Sequence, residues 1–132
     1  MDSNQKIDFM LAYAMQFIGA PYIWGQMDCS GFVQEIISCI GEQSKFDKNA
    51  QGLYDNLKHS WKNTLQKGSV LFFGKSITEI SHVAIALSPE TMIESGGGDH
   101  TTTTEFVAKR RMAMVRIRPI RKDLVARLRL IA

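Results

Sequence analysis

The most constraining stretch of this chain is Gly19-Ala-Pro-Tyr-Ile-Trp-Gly-Gln-Met-Asp-Cys-Ser-Gly-Phe-Val33, a Gly/Pro-rich loop that runs straight into an amphipathic segment. Gly19 and Pro21 stop the preceding helix and begin a loop to Asp28. Phe32, Val33, Ile36, Ile37 and Ile40 then recur at helical spacing, and Gly41 closes the run. Cys29 therefore falls at the first turn of a helix, where free backbone N–H groups and the positive end of the helix dipole stabilise a thiolate. Downstream, Ser81-His-Val-Ala-Ile85 reads as a strand carrying His82. Cysteine and histidine need to meet in space and not in sequence. The pattern predicts a cysteine nucleophile with a histidine base, in a hydrolase of amide bonds.

The remaining elements follow from periodicity. Ile7, Met10, Leu11, Ala14, Met15 and Ile18 predict a first helix over 4–18. A shorter one is expected from Asn49, its cap, to His59. Strands are expected over 70–74, 80–87, 91–94 and 112–120. Gly96–Gly98 reads as a mobile loop, followed by the polar tract Thr101–Thr104, and residues 123–130 read as a short amphipathic helix. Helices first and strands after give an α+β domain with an antiparallel sheet, a single domain over residues 1–132 with a basic C-terminal tail from about 119. In the histidine strand, His82, Ala84 and Ala86 share one face and Val83, Ile85 and Leu87 the other. The small face leaves room for a substrate; the bulky one suits a core.

Composition narrows the function. No run approaches the roughly 20 apolar residues of a membrane span, and no phosphate-binding glycine motif or RNA-binding aromatic motif is present. Cys29 and Cys39 lie about 15 Å apart along one helix at about 1.5 Å per residue, too far to bridge each other. Cys39 reads as a small buried hydrophobe. The cysteines and three histidines lack a close ligand pair, so neither metal nor cofactor is expected. Residues 109–132 carry nine Lys/Arg against one acid, while residues 1–108 carry seven against twelve. Such a basic end suits an anionic surface, but Arg116 and Arg118 alternate with apolar residues and read as the solvated face of a strand.

The cysteine block, the strand Lys67-Gly-Ser-Val-Leu-Phe-Phe73 and the Ser81–Ile85 block, in that order, resemble the NlpC-type cell-wall peptidases, and the Gly96–Gly98 loop with Asp99 and His100 resembles their phage-associated members more than secreted bacterial ones. The resemblance implies a papain-like fold with N-terminal helices packed on an antiparallel sheet, and hydrolysis of peptidoglycan stem peptides, typically between D-γ-glutamate and the following diamino acid. By position it implies Cys29 as nucleophile and His82 as base. Tyr22 matches the active-site tyrosine, a donor beside the oxyanion hole, and Asp28 and Ser30 match positions lining the substrate pocket. The family's third polar residue, twelve positions after the histidine, is here Glu94, a carboxylate able to hold the imidazole through Nδ1–H. His100, six residues further on, is the alternative orienting group.

Gln26 replaces the usual second glycine, and Ser69 stands where an aspartate often precedes the strand. The expected partners are stem peptides, with no nucleic acid and no membrane span. The N-terminus shows no basic segment followed by an apolar run, so synthesis in the cytoplasm without a secretory signal is expected. Lysis, a phage virion or non-classical export would then bring the chain to the wall. Two other readings stay open: a non-catalytic wall-binding or phage structural module, and an amidase or transferase of the same fold.

Overall fold

The computed structural model describes residues 1–41 and 49–130. Local signals open each helix. Asp2 starts α1 (Ser3–Met15) with a reciprocal capping box: its Oδ1 accepts from the Gln5 N–H at 2.8 Å, and its own N–H donates to the Gln5 side chain at 2.9 Å. Asp28 and Asn49 cap α2 (Cys29–Ser38) and α3 (Ala50–Leu57) by accepting from the N–H three residues on. The strands are β1 (Lys62–Asn63), β2 (Val70–Gly74), β3 (Ile80–Ala86), β4 (Thr91–Gly96), β5 (Met114–Pro119) and β6 (Leu124–Arg129), with α4 (Glu105–Arg111) between β4 and β5.

The six strands form one antiparallel sheet in the order β1-β6-β2-β3-β4-β5. The main core lies between its helical face and α1–α3. There Ile7, Met10 and Ala14 meet Phe32, Ile36 and Ile37, Leu53 and Leu57, and the strand residues Phe72, Val83, Ile85 and Ile93. Truncating a side chain such as Phe32, wholly buried here, typically costs about 3–5 kcal/mol. A smaller cluster of Leu71, Phe73, Ala84, Ala86 and Met92 covers the reverse face. No helix among the described residues is long and apolar enough to cross a membrane.

Three expectations need correction. Residues 124–129, expected within a helix, form β6 between β1 and β2, so this part of the basic tail belongs to the sheet. Leu124 and Leu128 mimic a helical i,i+4 pair, yet Ala126, Leu128 and Leu130 are buried around an exposed Arg127, the period of a strand. Pairing with β2 satisfies an edge that a helix would leave open. Second, α4 and β1 were not expected: α4 buries only Ala108, too little for an apolar period, and β1 is two exposed residues. Third, β5 starts at Met114, because Met112 takes a left-handed φ of 54° to end α4.

Gly31 fixes how the loop before Asp28 meets α2. A methyl group there would overlap the Gln26 carbonyl oxygen and crowd Asp28 Oδ1. Alanine gains about 1 kcal/mol in helix propensity, but overpacking against backbone costs about 1–3 kcal/mol. Gly31→Ala is therefore expected to lower the midpoint of a thermal melt. A raised midpoint would show that the loop gives way freely.

Candidate active site

The loop that delivers Cys29 is pinned to the sheet. Gly19 N–H donates to the Val115 carbonyl and Val115 N–H to that of Ala20, both at 2.9 Å, and Tyr22 N–H donates to the Ala113 carbonyl at 3.1 Å. Trp24 N–H reaches the Thr102 carbonyl at 2.8 Å. Asp28 completes the link, with Oδ2 accepting from Gly25 N–H at 2.8 Å and Oδ1 from Gly31 N–H at 2.9 Å. Both of its oxygens are thus engaged by backbone. Cys29 opens α2 just behind this cap, with Ser30 buried beside it and its hydroxyl 3.5 Å from Asp28 Oδ1. The N–H groups at such a helix start have no intrahelical acceptor.

Facing Cys29 is a row of charged side chains on three adjacent strands. His82 on β3 faces Cys29 across the cavity that both line, close enough for the two to interact electrostatically. Its Nε2 lies 2.7 Å from Glu94 Oε1 on β4, and Glu94 Oε2 accepts from Arg116 Nε on β5 at 2.9 Å. With Nε2 engaged, the ring nitrogen left for Cys29 is Nδ1, the reverse of the expected orientation in which Glu94 holds Nδ1–H. Burial alone would lower the His82 pKa, but the bonds and charges of Cys29 and Glu94 overcome it and raise it to about 9. For Glu94 burial works upward, and the contacts with His82 and Arg116 outweigh it and lower the carboxyl to about 2. The row holds an imidazolium and a carboxylate near neutral pH.

Cys29 stands where two cavities meet. One, about 430 Å³, includes Asp28, Ser30, Asn49 and Ile80 in its wall. The other, about 420 Å³, holds His82, Glu94, His100 and the arginines 116, 118 and 121. Tyr22, Trp24, Cys29 and Ser81 line both. Tyr22 is a buried ring whose hydroxyl pKa is pushed well above its ordinary value by burial, then by the charges of Cys29, Asp28 and Asp99. The Gly96–Gly98 run, expected as a mobile loop, is packed: β4 includes Gly96, and a Cβ at Gly98 would overlap the Tyr22 ring. A Cβ at Gly96 would crowd the Glu94 carboxylate and Arg116. The glycines are there to let those side chains approach.

Several placements differ from expectation. Arg116 is no solvated strand residue but the second partner of Glu94; nothing in a single strand's alternation reveals which residue lies opposite it. Ala84 and Ala86 do not border open space. They are wholly buried in the cluster with Leu71, Phe73 and Met92, so room remains only at the His82 end. His100 stands edge-on to Trp24, ring centroids 6.2 Å apart, while Glu94 takes the His82 nitrogen. Ser69, wholly buried, donates to the Thr64 carbonyl at 2.7 Å and accepts from Gln66 N–H at 3.0 Å, shaping the turn into β2. Both cysteines are free thiols. Among the described residues, no group of three or more His, Cys, Asp or Glu is placed to hold a metal.

The model of one family, described as the NlpC/P60 family, matches residues 19–121. No curated protein sequence matches the chain. Among solved structures, the peptidoglycan hydrolase RipB of Mycobacterium tuberculosis is 19% identical, with a TM-score of 0.74 over 98% of this chain and 67% of its own. An NlpC/P60 family protein of Bacillus cereus is 22% identical, with a TM-score of 0.71 over 96% of this chain and 40% of its own. RipD of M. tuberculosis, described as a non-catalytic NlpC/p60 domain protein adapted to peptidoglycan binding, is 17% identical, with a TM-score of 0.65 over 97% of this chain and 98% of its own. These likenesses show the papain-like α+β fold. None of them supports the phage-associated branch.

Proposed function

This chain belongs to the NlpC/P60 family, and on that premise we propose that it is a cysteine peptidase of peptidoglycan stem peptides, cutting between D-γ-glutamate and the following diamino acid. The observation that carries this reading is the row of Cys29, His82 and Glu94 at the junction of two cavities, with His82 bonded to Glu94 and facing Cys29. The His82 imidazolium holds the proton of Cys29 at Nδ1, and the thiolate so formed attacks the amide carbonyl carbon. Backbone N–H groups at the start of α2 donate to the oxyanion. The imidazolium returns its proton to the leaving amine, giving a thioester. Water, deprotonated by His82, then releases the acid and restores the thiol.

A binding-only role is the second reading, favoured by the description of RipD. The fold serves both roles, so side chains must separate them. A wall-binding module needs no imidazole held between a thiol and a carboxylate. Mass spectrometry of purified stem peptides after incubation with the protein tests the choice. Products split at the γ-glutamyl bond are expected, and intact peptides after long incubation with folded protein would favour binding alone.

Tyr22 supplies a finer test. Its ring packs against Gly98 and its side chain lines both cavities, so Tyr22→Phe keeps the packing and removes one hydroxyl. Turnover is expected to fall, by about 5- to 10-fold for loss of one hydrogen bond of about 1–1.5 kcal/mol, with little change in melting temperature. Early unfolding with full turnover would make Tyr22 structural.

A further inference from the structure

The second cavity carries more positive charge than the proposed chemistry uses. Its acids are already matched: Glu94 by His82 and Arg116, and Asp99 by Arg111 at 3.2 Å. Arg118 lies on the same face of β5 as Arg116, reaches this cavity, and has no ionic partner among the described residues. Arg121 is held in place by Asp123, through contacts of 3.0 and 2.6 Å, and by the Phe73 ring 5.2 Å beneath it. Phe73 in turn packs 5.7 Å from the His82 ring. Arg118, with no ionic partner among the described residues, and Arg121, bonded to Asp123, both line the cavity that also carries His82.

We infer that Arg118, with Arg121 lining the same cavity, forms a subsite for a carboxylate on the residue that leaves with the amine. The direction follows from proton transfer. His82 must protonate the departing nitrogen, so the amine fragment lies over His82, in the second cavity and not in the one bounded by Asn49 and Ile80. An amino acid leaving through its amine carries a carboxyl group one carbon from that nitrogen, a free carboxylate where that residue ends the peptide. A planar guanidinium matches it with two parallel N–H donors. The inference deepens the proposed reaction and rests on that reading.

The test uses γ-D-glutamyl-L-lysine with its lysyl α-carboxylate free, and the same peptide as the lysyl amide. Calorimetric binding to the Cys29→Ala protein should favour the free acid by about 10- to 100-fold, the range for a charge-assisted contact. Adding Arg118→Gln should shrink that gap to about 3-fold or less, with Arg118→Lys retaining part of it. Equal binding of acid and amide, or a gap that survives Arg118→Gln, overturns the subsite. Turnover by the otherwise unaltered enzyme separates the two ideas. Discrimination in binding with no cleavage of either peptide would sink the reaction and keep the subsite. Cleavage of both at equal kcat/KM would do the reverse.

Discussion

Cys29→Ala is expected to reduce stem-peptide hydrolysis on the order of 10⁴-fold or more, to background, while the protein stays folded. The size follows from the step removed: without the nucleophile no thioester forms, and only binding and oxyanion contacts remain. Cys29 is half-buried at the cavity wall facing His82, so alanine leaves a small gap at a cavity junction and no orphaned core. Iodoacetamide at neutral pH should report the same chemistry in the unaltered protein. Cys39 packs against the core, and burial, then the Glu35 charge, pushes its thiol pKa up, which slows its reaction. Labelling should therefore appear on Cys29 first, and activity should fall in step. Equal labelling of both thiols, or full activity with Cys29 alkylated, would rule the mechanism out.

Glu94→Ala is the second large effect, a loss of about 10- to 100-fold or more in kcat/KM by analogy with other orienting groups. The carboxylate binds His82 through one oxygen and Arg116 through the other, and it is almost wholly buried. Its removal frees the imidazole and leaves Arg116 facing an imidazolium with nothing between them. Glu94→Gln keeps the shape and one acceptor, so it should retain more activity but shift the alkaline limb of the pH–rate profile downward from about 9. If Glu94→Ala matches the parent while His100→Ala is crippled, the orienting group is His100.

Stability should follow the same charges. The His82 pKa is raised from 6.5 to about 9, so its contribution is complete below about pH 6.5 and disappears as pH rises through 9. The Glu94 pKa is lowered from 4.5 to about 2, so its contribution is complete above about pH 4.5 and disappears as pH falls through 2. Thermal melts across pH should show the alkaline loss, flattened in Glu94→Gln. A parent melt that is level from pH 6.5 to 10 would contradict the raised His82 pKa.

Much of this was legible in the chain because the signals are local. Caps speak to the N–H three residues on, and Asn49 announces α3 in that way. Val70–Gly74 carries its strand in its apolar run, and the Cys29 and His82 blocks carry chemistry in residue type and spacing. The weak points were segments whose periodicity admits two answers. Residues 124–129 fit a helix stripe and a strand alternation alike, and only pairing with β2 chose between them. α4 has almost no buried face to announce it.

The sequence by itself determined which groups could react and where α1–α3 and the apolar strands would lie. The tertiary structure decided which of those groups touch. That Glu94 takes Nε2 and leaves Nδ1 to Cys29, that Arg116 is a member of the row, and that three glycines stand aside for Tyr22, Glu94 and Arg116 are all consequences of which strands are neighbours and in what register. The physical reason is one of range. Capping and periodicity act between residues two to four apart, whereas ion pairs and close side-chain approaches join residues brought together only when the sheet closes its ladder.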